Sequence, residues 1–196
     1  MNNVNFLLCG VGGQGTILAS DVLTQVGVQA GYDAKKAEVH GMAQRGGSVT
    51  SHVRWAEKVY SPLIAKGEVD VLVAFEKLEA LRHIEFLRPG GTVVVNDHEI
   101  IPITVTSGGA EYPDDEHIRA VLAEVTGDVR WVDGMTIAEE LGNVRAANVV
   151  LLGALSSLLD VPESIWLEVI EKRVPARYVE LNRSAFRRGR EAIVSG

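Results

Sequence analysis

The sequence predicts an α/β fold: a three-layer α/β/α sandwich on a mostly parallel sheet, with an antiparallel hairpin and a helical C-terminal region. Three observations predict it. Short apolar runs at 4–9, 69–75 and 92–96 suit strands buried on both faces, as parallel strands are. Segments of helical periodicity alternate with those runs, the pattern of strand–helix–strand units. No repeat, low-complexity tract or long linker divides the 196 residues, so one domain is expected over 1–196.

Taken in order, Val4 to Cys9 is the first strand and leads into Gly10-Val11-Gly12-Gly13-Gln14-Gly15. Ile17, Leu18, Val22, Leu23 and Val26 then form one helical stripe that weakens at Gly27 and Gly31. A second strand is expected over Asp33 to Val39 and a glycine-rich loop over 41–47. Val49, Ser51, Val53 and Trp55 alternate, and a short turn to Val59 and Tyr60 predicts the hairpin. Val69 to Phe75 is a strand, Glu76 to Leu87 an amphipathic helix, and Thr92 to Asn96 a strand after the Pro89-Gly90-Gly91 turn. A polar loop at 107–115, a helix, a strand at 129–132 and mostly helix complete the chain. Asn148 to Leu159 is apolar nearly all round, which predicts a helix that is buried or faces a partner.

Composition removes several functions. With 46% hydrophobic and 23% charged residues the chain is an ordinary globular one. A formal charge of −7 repels a phosphate backbone, so no nucleic-acid partner is expected. The longest apolar stretch, 144–159, carries Arg145 and Asn148, which argues against a membrane span. Met1-Asn2-Asn3-Val4-Asn5 lacks the basic start of a signal peptide, so a cytoplasmic protein is expected. Cys9 is the only cysteine; the chain can form no internal disulfide and has no thiolate set for an iron–sulfur cluster.

Gly10, Gly12 and Gly15 have the GxGxxG spacing between a strand and a helix, where free N–H groups and the helix dipole favour an anion. A tight turn that packs the helix close to the strand explains the same glycines without a ligand. With Asp33 or Glu38 to hold ribose hydroxyls, the motif is also compatible with a Rossmann-like, stand-alone NAD(P)- or flavin-binding dehydrogenase, or with a non-enzymatic CoA- or nucleotide-binding module. Neither reading accounts for the next segment, Glu38-Val39-His40-Gly41-Met42-Ala43-Gln44-Arg45-Gly46-Gly47-Ser48-Val49, which sets polar groups between glycines.

Together these two motifs resemble the gamma-type subunit of 2-oxoacid:ferredoxin oxidoreductases, and the His-Gly-Met-Ala-Gln-Arg-Gly-Gly form is most similar to the beta subunit of indolepyruvate ferredoxin oxidoreductases. Asn148 to Ala154 and Asn182, Ala185, Phe186 and Gly189 also follow the family pattern, so the resemblance covers nearly the whole chain. It implies oxidative decarboxylation of an aryl pyruvate with CoA to acyl-CoA, CO2 and reduced ferredoxin. Thiamine diphosphate and [4Fe-4S] clusters would sit on a large partner subunit, this chain being one part of a hetero-oligomer and not catalytic alone. Pyruvate, ketoisovalerate and 2-oxoglutarate enzymes share that architecture. The residues expected to approach CoA phosphate or the partner are Gly10, Gly12, Gly13, Gln14 and Gly15, with Gln44, Arg45, Gly46 and Gly47.

Arg45 has a plainer explanation as a structural ion pair, and His40 as a hydrogen-bonded loop residue. His52, His83, His98 and His117 have no metal-ligand spacing, so no metal is expected. Arg183, Arg187 and Arg190 share a helical face that is either solvated or docks on an acidic surface, with Tyr178, Leu181 and Phe186 as candidate apolar neighbours.

Overall fold

The computed structural model describes residues 3–40 and 47–195, apart from the side chains of His40, Val194 and Ser195. Strand β1 (Val4–Val11) sends Phe6 and Leu8 to one face of the sheet and Leu7 and Cys9 to the other. All four are fully buried, which is why its sequence is apolar without alternation. Helix α1 (Thr16–Gln29) follows and buries Ala19, Val22, Leu23 and Val26. Gly27 makes room for the indole of Trp55, since a Cβ there would lie 2.3 Å from its Nε1.

The antiparallel hairpin is formed by β2 (Asp33–His40) and β3 (Ser48–Ala56), around residues 41–47. This corrects the expected turn to Val59 and Tyr60. Strand β3 is bonded along one edge to β2 and along the other to β1, leaving no edge for the segment that follows it. Val59 instead packs in the interior while Tyr60 is 92% exposed.

Strands β4 (Val69–Ala74), β5 (Leu87–Asn96) and β6 (Val129–Val132) continue the sheet in parallel from β1. Helix α2 (Lys77–His83) is shorter than expected: a 3-10 turn at Ile84–Phe86 ends it and Leu87 pairs with Val69. Next come α3 (Ile103–Thr106), α4 (Asp115–Val125), α5 (Gly134–Glu140), α6 (Ala147–Ser156), α7 (Glu163–Arg173) and α8 (Val179–Glu191). A short β7 (Val194–Ser195) pairs antiparallel with β6, so the sheet order is β2-β3-β1-β4-β5-β6-β7.

Two apolar layers flank the sheet. Helices α1, α5, α6, α7 and α8 pack on the Phe6 and Leu8 face, with Trp166 and Phe186 among the largest buried groups. Ala80 of α2 and Ile118 and Leu122 of α4 cover the Leu7 and Cys9 face. Every residue of α6 is buried, so its apolar surface is consumed inside the chain. Among the described residues no helix is long and apolar enough to cross a membrane.

The arginine face of α8 is occupied internally. Arg183 pairs with Glu171 at 2.7 Å and Glu180 at 2.8 Å, Arg187 with Glu163 at 2.9 Å, and Arg190 donates to Ser156 Oγ at 2.9 Å. Phe186 is fully buried, so it cannot serve as the apolar part of a docking surface.

Candidate functional site

Strands β1, β4, β5 and β6 run in parallel and end on one edge. The helix after β1 lies on one face of the sheet and the helix after β4 on the other. Such a divergence opens a crevice at the carboxyl ends of the strands, where α/β folds bind ligands.

The glycine turn lies at this crevice. Gly10 is buried at the end of β1, and a Cβ on it would meet both Gln14 Oε1 and Phe75 Cβ at 2.9 Å. Gly13 and Gly15 have φ of 107° and 85°, a region that favours glycine. Gly15 also has no space for a side chain, because Asn148 Nδ2 would stand 2.4 Å from its Cβ. The Gly12 N–H donates to the Gly47 carbonyl at 2.9 Å, and the Gln14 N–H to the Val11 carbonyl at 3.1 Å. Of the turn's N–H groups, those of Gly13 and Gly15 and the first turn of α1 therefore have no acceptor among the described residues, by the geometry of a helix start.

Gln14 turns its side chain inward. Its Oε1 accepts from the Val11 N–H at 2.7 Å and its Nε2 donates to the Phe75 carbonyl at 2.8 Å. The same carbonyl accepts from Asn96 Nδ2 at 3.1 Å, and Asn96 Oδ1 accepts from the Gly134 N–H at 3.0 Å. Two carboxamides thus tie the glycine turn, β4, β5 and the start of α5 into one frame.

Beyond this frame is a cleft of about 190 Å³, lined by Gly13, Phe75, Met135, Arg145, Asn148 and Leu151, with His98 and Val144 at its sides. The second motif reaches the same edge: Gly47 bonds to Gly12, and Ser48 is opposite Val11. Gln44, Arg45 and Gly46 lie outside the described residues, as does the His40 side chain.

Asp33 and Glu38 do not reach the crevice. Strand β3 stands between β2 and β1, and Asp33 begins β2 at the far end of the sheet, where it accepts from the Val59 N–H at 2.9 Å. Glu38 pairs with Lys36 at 2.5 Å. A ribose-binding acid belongs on the strand beside the glycine turn, so this topology does not build the dinucleotide site of a stand-alone dehydrogenase.

Sequence reasoning missed a buried polar cluster behind the turn. Glu79 accepts from Ser48 Oγ at 2.5 Å and from Arg82 at 2.7 Å, and His83 Nε2 is 3.0 Å from Ser48 Oγ. Burial would raise the Glu79 pKa, but hydrogen bonds from His83 and Ser48 with the Arg82 charge outweigh it, and the carboxyl falls below its usual value. Glu76 caps α2 by accepting from the Glu79 N–H at 2.9 Å, and it also accepts from Tyr112. Only the three-dimensional meeting of β3 with α2 assembles these groups; Ser48 and Glu79 are 31 residues apart. Cys9 is enclosed on this side, its thiol pushed up by burial and then by Glu79 and Glu76, so it is neither nucleophile nor ligand.

The comparisons decide the family. The family model described as pyruvate ferredoxin/flavodoxin oxidoreductase matches residues 5–192. The chain belongs to this family. An indolepyruvate oxidoreductase subunit IorB of Thermococcus kodakarensis is 40% identical over 195 residues, 98% of this chain and 96% of that protein. The crystal structure of a keto/oxoacid ferredoxin oxidoreductase gamma subunit from Geobacter sulfurreducens superposes with a TM-score of 0.71 at 25% identity, covering 96% of each chain. A 2-oxoglutarate:ferredoxin oxidoreductase of Magnetococcus marinus, with 2-oxoglutarate, coenzyme A and succinyl-CoA bound, has the same fold at a TM-score of 0.74 and 22% identity; this chain covers 31% of it. The pyruvate ferredoxin/flavodoxin oxidoreductase family member described here is thus a gamma-type subunit, the length of its separate relatives and a fraction of the long chain.

Proposed function

We propose that the chain is the gamma-type subunit of an indolepyruvate-type 2-oxoacid:ferredoxin oxidoreductase in the cytoplasm, and that its carboxyl-edge cleft receives CoA. The observation that carries the reading is the cleft itself: a crevice at the start of α1 with Gly13 and Gln14 of the glycine turn in its wall, in a chain whose single thiol is sealed in the core. Such a chain can bind and orient, and has no ligands with which to hold an iron–sulfur cluster.

Thiamine diphosphate would supply the electron sink for decarboxylation and [4Fe-4S] clusters the one-electron chemistry toward ferredoxin, both held by the large partner subunit. In this chain Gln14 and Asn96 keep the turn rigid, so that the N–H groups of Gly13 and Gly15 are fixed before a ligand arrives. Gly47, joined to Gly12, sets the end of the second glycine motif beside the same edge, and Gln44, Arg45 and Gly46, which lie outside the described residues, are assigned by this reading to the CoA or partner contact. The aryl pyruvate preference follows the 40% identity to an indolepyruvate oxidoreductase subunit over nearly the full length.

The test is anaerobic co-expression with the large subunit and an assay of CoA-dependent ferredoxin reduction with indolepyruvate, pyruvate, ketoisovalerate and 2-oxoglutarate in turn. Indolepyruvate should give the highest kcat/KM; a strong preference for another acid would move the chain to another branch of the family.

A further inference from the structure

Within the cleft, the Asn148 side chain is set apart by having no hydrogen-bond partner among the described residues. It is the second residue of α6, only 7% exposed, and its Nδ2 rests against Gly15 at the start of α1. Buried side-chain amides are ordinarily hydrogen-bonded. Gln14 and Asn96, the other carboxamides of the cleft, follow that rule. The Asn148 amide makes no hydrogen bond with any described residue, yet its polar atoms are not among those sealed from solvent. They open into the cleft.

The surroundings define the missing partner. Asn148 sits where the N-termini of two helices meet, α1 of 14 residues and α6 of 10, and each start carries partial positive charge. Arg145 stands one turn earlier at the rim, exposed and without an ion pair to any described residue. The lining includes His98 but no carboxylate, while Phe75, Met135 and Leu151 make the floor apolar. A cation would find no counter-charge here; an oxyanion attached to a less polar chain would.

We infer that Asn148 is a ligand-binding residue, donating its amide N–H to an oxyanion held between the starts of α1 and α6, with Arg145 at the mouth. This rests on the proposed role in CoA binding and deepens it. The oxyanion is either a phosphate of CoA or the carboxylate of the 2-oxoacid, which share this chemistry.

The experiment compares wild type, Asn148→Asp and Asn148→Leu in the assembled complex. Asn148→Asp keeps the shape against Gly15 but sets a negative charge toward the ligand, so KM should rise roughly 10- to 100-fold; Asn148→Leu loses only the donor, so about 3- to 10-fold is expected. The rise should appear in KM for CoA if the phosphate is bound and in KM for indolepyruvate if the carboxylate is, with complex size unchanged. KM values within twofold of wild type for both substrates, or equal effects of the two variants, would overturn the inference, because a packing role does not distinguish charge. Calorimetric titration of the full chain with inorganic pyrophosphate separates this from the wider reading. Binding by wild type that is lost in Asn148→Asp supports the site even if the complex proves not to use CoA, whereas no difference between the two contradicts it.

Discussion

Gly153 of α6 and Gly189 of α8 are the crossing point of two helices packed backbone to backbone. A Cβ on Gly153 would lie 2.0 Å from the Phe186 carbonyl oxygen, and one on Gly189 would lie 2.0 Å from that of Val150. This crossing holds α6, and with it Asn148, against the sheet.

Gly153→Ala should therefore force the helices apart, with an overpacking cost of ~3 kcal/mol. Urea denaturation of the full chain reads the loss. A stability unchanged within ~0.5 kcal/mol, the usual effect of a surface substitution, would mean that the crossing is not as close as described.

Gln14 makes one hydrogen bond as acceptor and one as donor, and two substitutions separate them. Gln14→Ala removes both and should cost ~1–3 kcal/mol, since each bond contributes on the order of 1 kcal/mol. Gln14→Glu retains the acceptor for the Val11 N–H, cannot donate to the Phe75 carbonyl, and brings a negative charge to the turn. Its KM for CoA should rise more than that of Gln14→Ala although its stability falls less; the reverse order in either measurement would count against a turn that is both rigid and anion-binding.

Lys77 is 5% exposed and joins three acidic groups: Asp115 at 2.5 Å, Glu99 at 2.6 Å and Asp97 at 3.5 Å. Burial disfavours its charge, but the bonds to Asp115 and Glu99 outweigh that and raise its pKa, so the ammonium persists across the physiological range. Lys77→Met leaves the carboxylates to repel one another and should destabilise the chain by ~1–3 kcal/mol at pH 7. The deficit should shrink in denaturation curves at high salt, which screens the carboxylates from one another; a deficit that does not depend on salt would point to lost packing instead.

His52 is buried and its Nδ1 accepts from the Ile64 N–H at 3.2 Å, which requires that nitrogen to be unprotonated. Burial, then the nearby His83, lowers its pKa from 6.5. As pH falls below 6.5 the unfolded chain takes up the proton first, so this contribution is fully present above that pH and is lost down to the lowered folded value. The slope of stability against pH just below 6.5 should flatten in His52→Gln, whose carbonyl can still accept from Ile64. An identical slope would assign the acid sensitivity to other groups.

The parts of the fold legible from residues alone were those with local causes. Val4 to Cys9, the glycine turn and α1 follow one another in sequence, and the nearly all-apolar α6 had to be covered, either inside the chain or by a partner. The hairpin was not legible at its true position, because the alternation of β3 says that it is a strand without saying which edges it bonds. Strand β7 and helix α3, of two and four residues, are too short to carry a period. In the site, the glycines announced the turn, whereas the inward role of Gln14 depends on the Phe75 carbonyl 61 residues away. Asn148 did leave a trace, as one amide in an otherwise apolar helix, but its lack of a partner is visible only in three dimensions.

The most direct measurement is dye reduction by the purified chain, under anaerobic conditions with indolepyruvate and CoA, before and after addition of the large subunit. No reduction by the chain alone and reduction once the subunit is present is the predicted result. Turnover by the chain unaided would contradict the account.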